Sequence, residues 1–231
     1  MSTPPGPEQM APRAAEDVAA KSLDYVVVEG PIGVGKTTLA KRLAESIPGR
    51  TLLEAPEENP FLPRFYDNPR AHALSTQLFF LLQRSHQVEP LKHADLFQRC
   101  AVADFLVEKD RLFAEINLDA DELAVYDEIA KRILGAVPQP DLVIYLQAPV
   151  GVLVERIEQR GIEYEQDVSN DYLERLVDAY TRFFYNYDSA PLLIVNASEL
   201  DFASREQDYH LLLEQIMNHE QGRHYFNPLL F

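Results

Sequence analysis

Residues 25–38 read Tyr-Val-Val-Val-Glu-Gly-Pro-Ile-Gly-Val-Gly-Lys-Thr-Thr. The first five form an apolar, β-branched run that halts at glycine, the pattern of a strand buried on both faces. The next eight, Gly30, Pro31, Ile32, Gly33, Val34, Gly35, Lys36 and Thr37, meet G-x-x-x-x-G-K-[ST], and helical spacing resumes at Thr38. Glycines let backbone N–H groups curl round a phosphate, and the helix N-terminus that follows adds positive potential. Lys36 supplies a point charge for β- and γ-phosphates, and the Thr37 hydroxyl can ligate Mg²⁺. A chance match in a chain of this length is about one in a hundred. The alternative, a glycine-rich turn that merely caps a helix, is disfavoured by the flanking strand.

Outward from this loop, strand and helix signals alternate. Short apolar runs at 51–54, 100–103, 142–146 and 192–195 read as strands. Helical spacing covers about 38–47, 71–87, 106–116, 120–134, a stretch reaching 160, 170–187 and the tail after 205. Such alternation predicts an α/β fold with a five-stranded parallel sheet covered by helices on both faces. Ligands of such sheets sit beyond the carboxyl ends of the strands. The glycine loop, Glu54 and Asp104 follow the first three strands and so converge on that edge. Asp104 stands where P-loop proteins hold Mg²⁺ with an acid. Residues 1–22 are Pro-rich and mixed polar and read as a flexible tail; 23–231 read as one domain.

Composition narrows the partners. The 231 residues carry 21 Lys+Arg against 37 Asp+Glu, a formal charge of −16, with 46% hydrophobic residues. That balance repels nucleic acid and anionic membrane, so any phosphate site is a local basic pocket. No apolar run approaches the ~20 residues of a membrane span, and the N-terminus has no apolar signal core, which implies a cytoplasmic protein. The single cysteine, Cys100, excludes an intramolecular disulfide; its apolar neighbours suggest a buried thiol rather than a nucleophile.

The glycine loop alone does not choose between kinase, GTPase, ATPase and motor. No Asn-Lys-x-Asp element of a guanine-specific GTPase is present, and the economical reading is a small-molecule kinase. Glu54 is positioned to accept a proton from an acceptor hydroxyl, or is a solvated acid in the run Glu54, Glu57, Glu58. Gln77 and Arg84, seven apart, share one face of a Leu/Phe-rich helix. They point polar groups at a ligand, or are ordinary polar positions of an amphipathic helix. Asp110 could pair with Arg84. Arg156 and Arg160, four apart, could close over a transferring phosphoryl group, or pair with Glu155 and Glu158.

Five stretches, in order, carry a resemblance: VVVEGPIGVGKTTLA, LLEAPEENPFLPRFYDNPRAHALSTQLFFLLQR, ADFLVEKDRLFA, YLQAPVGVLVERIEQRG and YEQD. Over residues 25–202 the chain resembles the deoxynucleoside kinase family, especially its bacterial deoxyadenosine/deoxyguanosine kinase branch. The resemblance implies a P-loop NTPase fold with a helical lid, ATP bound on residues 30–37 and Thr38, and Mg²⁺ at Thr37 and Asp104. It makes Glu54 the general base on a nucleoside 5′-OH, with Lys36 and the lid residues Arg156 and Arg160 as further catalytic groups. It assigns Gln77, Arg84 and Asp110 to the base pocket, Tyr66 and Glu165 to the sugar 3′-OH, and implies a homodimer. Three positions depart from the pattern. Ala55 follows Glu54 where proline is usual, and Phe105 and Ile162 stand where arginines are common. The expected reaction is phosphorylation of deoxyadenosine, or of deoxyguanosine or deoxycytidine. A thymidylate-like nucleotide kinase and a non-catalytic nucleotide-binding regulator are the alternatives.

Overall fold

A computed structural model describes residues 23–93 and 100–228; the expected tail, 1–22, lies outside the described residues. Six strands form one sheet: β1 (Tyr25–Glu29), β2 (Arg50–Leu52), β3 (Ala101–Ala103), β4 (Leu142–Gln147), β5 (Leu192–Asn196) and β6 (Arg223–Phe226). All pairs are parallel, in the order β2-β3-β1-β4-β5-β6. The five strands read from the sequence are present within a residue or two, and β6 corrects their number. Its sequence, Arg-His-Tyr-Phe, is exposed except at Phe226, because an edge strand needs little apolar surface. No hydrophobic pattern announces it.

Helices α1 (Lys36–Ser46), α6 (Val150–Arg160) and α8 (Glu206–Met217) cover one face of the sheet. Helices α4 (Lys109–Asn117) and α7 (Asn170–Asn186) cover the other. Strand β1 shows how alternation assigns the faces. Val26 and Val28 pack with Leu39, Leu43, Leu153 and Leu212 on the first side. Tyr25 and Val27 pack with Leu112, Leu176, Tyr180 and Phe184 on the second. Each fully buried valine is worth about 1.5–3 kcal/mol. A one-residue slip would also turn Glu29, which shares the α4/α7 side, into the wrong core.

A third apolar cluster lies off the sheet. It joins α2 (Leu62–Asp67), α3 (Pro69–Val88), α4 and α5 (Ala120–Ile133) through Leu62, Phe65, Leu81 and Tyr126. Pro69 opens α3, where its missing N–H costs nothing. Asp119 and Glu122 close a capping box on α5. Helix α2, six residues long, is too short to be read from periodicity, yet it brings Tyr66 toward the strand ends. Strand β1 is central, and the chain leaves it toward β2 on one side and returns to β4 on the other. The crevice at that reversal is where ligands of such sheets bind. Among the described residues, no helix is long and apolar enough to cross a membrane.

Candidate active site

The glycine loop turns from β1 into α1. Gly33 and Gly35 have φ of 84° and 104°, in the left-handed region that β-carbons disfavour. A Cβ on Gly33 would lie 2.9 Å from the Leu153 carbonyl oxygen, and one on Gly35 would lie 2.9 Å from the Phe202 ring. No side chain caps α1 and no acid sits in its first turn, so its N-terminal N–H groups and positive dipole end face the loop. Lys36 Nζ donates to the carbonyls of Gly30 (2.8 Å) and Pro31 (3.2 Å). Burial, then the neighbouring Lys109, pull its ammonium below the usual lysine range. A cavity of about 470 Å³ opens beside the loop, lined by residues 33–38 with Arg156, Arg160 and Phe202.

Asp104 ties three strand ends together. One carboxylate oxygen accepts from the Glu54 amide (2.8 Å) and the other from the Thr37 hydroxyl (2.5 Å). The convergence expected from the sequence is therefore a direct contact. Burial pushes the Asp104 carboxyl above its usual range, against the Thr37 hydrogen bond. Among the described residues no group of three or more His, Cys, Asp or Glu could hold a metal alone. Thr37 and Asp104 present adjacent hard oxygens, which suits Mg²⁺, an ion that takes its other ligands from substrate phosphates and water.

Beyond Asp104, Arg84 reaches across from α3. Its Nε donates to Glu54 Oε1 at 2.7 Å, one terminal nitrogen pairs with the same oxygen, and the other pairs with Asp110. Lys109 Nζ lies 3.5 Å from Glu54 Oε1 and 3.4 Å from Glu29 Oε2. Burial alone would raise the Glu54 carboxyl, but Arg84, Lys109 and Lys36 outweigh it and hold it at about 2. Burial raises the Asp110 carboxyl against the pull of Arg84, and Asp110 with Glu54 raises Arg84 against its own burial. Gln77 is 3% exposed and makes no side-chain hydrogen bond within the described residues. It lines a cavity of about 80 Å³ with Ile32, Lys36, Glu54, Arg84 and Lys109. The cavity's outer wall of Phe65, Tyr66 and Tyr172 is shared with a second cavity of about 240 Å³.

The two arginines expected to form a lid go to different places. Arg160 lines the loop cavity and pairs with Glu165, whose neighbour Tyr164 stacks on Tyr66 at 6.1 Å. Burial raises the Tyr66 hydroxyl well above its usual range, and Tyr172 and Glu165 add to it. Arg160 thus spans the loop side and the tyrosine side. Arg156 donates to the carbonyls of Val34 (3.2 Å), Ala197 (2.8 Å) and Leu200 (3.4 Å). It braces the wall of the loop cavity that Val34 and Leu200 also line.

Two buried charges escaped the sequence reading. Glu29 is 0% exposed and accepts from the Gly30 amide (2.8 Å), the Leu106 amide (2.7 Å) and the Tyr180 hydroxyl (2.9 Å). Lys109 is 2% exposed. The signal was an acid ending an apolar strand, and a lysine inside the run Phe-Leu-Val-Glu-Lys-Asp. Phe105 is 0% exposed within the α4/α7 core, so its side chain is structural. Cys100 is half-buried, and burial, with Asp141 and Asp24, pushes its thiol up to about 11.

A parallel sheet with a glycine-lysine loop after its central strand, and acids beyond the next two, defines a P-loop nucleotide-binding fold. The chain belongs to the deoxynucleoside kinase family, whose model matches residues 26–220. It is 31% identical over 197 residues to the deoxyguanosine kinase of Bacillus subtilis (strain 168), covering 83% of this chain and 95% of that one. It is 26% identical over 208 residues to the deoxyadenosine kinase of Lactobacillus acidophilus, covering 84% and 95%. The fold matches the structure of deoxyadenosine kinase from M. mycoides with bound dATP at a TM-score of 0.72 and 24% identity, over 83% of this chain and 98% of that one. The chain is a kinase of deoxynucleosides.

Proposed function

We propose that this kinase transfers the γ-phosphoryl group of ATP to the 5′-OH of deoxyadenosine, with deoxyguanosine or deoxycytidine as weaker acceptors. The observation that carries the reading is the grip on Glu54: Arg84 and Lys109 both meet Oε1, while Glu54 lines the cavity, so Oε2 is the oxygen left for the acceptor. ATP phosphates lie on residues 30–38 with Lys36 as their point charge. Thr37 and Asp104 hold Mg²⁺, which when bound offsets phosphate charge. Glu54 accepts the hydroxyl proton. A carboxylate at about 2 is a weak base, which suffices because a loose transition state builds little positive charge on the attacking oxygen before transfer. Arg160, between the two cavities, spreads charge on the moving phosphoryl group, and Arg156 shapes the donor wall.

Arg84 is fully engaged by Glu54 and Asp110, so base reading falls chiefly to Gln77. Its amide offers a donor and an acceptor side by side, suited to adenine's amino group and ring nitrogen. Ligand pockets begin at about 300 Å³. A nucleoside therefore draws on both acceptor cavities, with Tyr66 and Glu165 at the sugar. Homodimerisation and a cytoplasmic location complete the proposal; light scattering tests the first. The enzyme assay is coupled ADP release with ATP and Mg²⁺, offering each deoxynucleoside and then each monophosphate. Turnover with deoxyadenosine above thymidine supports the proposal. Turnover only with a monophosphate, or with no acceptor, refutes it.

A further inference from the structure

We infer that Lys109 is a positioning residue for Glu54: with Arg84 it fixes Oε1, so that the opposite oxygen meets the acceptor hydroxyl. The inference rests on the kinase reading above and deepens it. Lys109 begins α4, and a cation at a helix N-terminus opposes the helix dipole. Its ammonium is also buried, which is costly without partners. Neither cost is needed to build α4. Two carboxylates and the Phe113 ring, 5.3 Å away, receive the charge.

The arrangement is a paired clamp. Glu29 anchors Lys109 and is itself immobilised by three hydrogen bonds; Asp110 anchors Arg84. Each cation, held from behind by its own acid, meets the same oxygen of Glu54. A lysine serving structure alone would be satisfied by Glu29 and would not line the acceptor cavity. Phe105, the residue after Asp104, is turned into the core and carries no charge. Lys109 brings a cation to Glu54 from a turn further along the chain.

The test is a double-mutant cycle in the ADP-release assay on the full chain, with thermal melts as the check on folding. Lys109→Met should lower kcat about 10- to 100-fold and change the KM values for ATP and deoxynucleoside less than about threefold. Lys109→Arg should recover much of the rate. In a Glu54→Gln background the same Lys109→Met change should cost less than about threefold, because groups acting as a unit are not additive. Should Lys109→Met fail to fold, Lys109→Gln, whose amide can still donate to Glu29, is measured in both backgrounds. A kcat within twofold of wild type overturns the inference, as does a loss that multiplies in full with that of Glu54→Gln. Wild-type silence with every deoxynucleoside sinks the kinase reading and this inference together.

Discussion

Replacing Glu54 by glutamine should destabilise the protein, although the carboxylate sits among three other buried acids. Glu29, Asp104 and Asp110 are buried and tied to Glu54 through Lys109, its own amide and Arg84, and relief of crowding by itself would make the change stabilising. The balance favours the cations. Arg84, Lys109 and Lys36 overcome burial and bring the Glu54 carboxyl from 4.5 to about 2. A difference of roughly 2.5 pH units, at about 1.36 kcal/mol each, is about 3 kcal/mol favouring the charged form in the fold. The side chain is 17% exposed and the glutamine amide can still accept from Arg84, so this is an upper bound. At about 2–4 °C per kcal/mol for a domain of this size, Tm at pH 7 should fall by roughly 5–10 °C. Because the folded-state pKa is depressed, the stabilisation is present above the unfolded value near 4.5. It is lost as pH falls toward 2. The gap between the two proteins should therefore narrow below about pH 4.5 in scanning calorimetry run stepwise from pH 7. The same variant should keep ATP affinity and lose turnover by ~10²-fold or more. A variant as stable as wild type at pH 7 would refute the pairing, and near-normal turnover would refute the role as base.

Gly33→Ala should weaken ATP binding at least tenfold and lower Tm, since the Cβ meets the Leu153 carbonyl oxygen at 2.9 Å and φ is 84°; equilibrium titration with ATP measures it. Arg156→Ala should raise KM for ATP several-fold and leave KM for the deoxynucleoside nearly unchanged, because its three contacts are with donor-side carbonyls. An equal rise in both would contradict that division. Cys100 should react slowly with a disulfide reagent at pH 8 and faster as pH approaches 11, as thiol absorbance assays can follow. Rapid labelling at pH 8 would mean the thiol is not sheltered.

Local pattern determined much of this protein. The run from Tyr25 to Thr38 specifies strand, loop and helix because buried strands, phosphate-wrapping glycines and helix starts each impose nearest-neighbour constraints. Parallel topology then assembles Thr37, Glu54 and Asp104 at one edge, since every strand of such a sheet ends on the same side. The pairing of Arg84 with Asp110 was also within reach, since Arg84 stands out on a Leu/Phe-rich helical face and an acid is the partner that a cation there requires. What the tertiary structure decided are matters of distance across the fold. Strand β6 exists because β5 offers it an edge, which its own polar residues do not reveal. Arg156 and Arg160 look equivalent in sequence, yet one turn of helix sends the first to backbone carbonyls and the second to Glu165. Glu29 and Lys109 are 80 positions apart in the chain, and only the packing of α4 across the end of β1 brings them within 3.4 Å. A buried charge is chosen by the partners that make it tolerable, and those partners come from elsewhere in the chain.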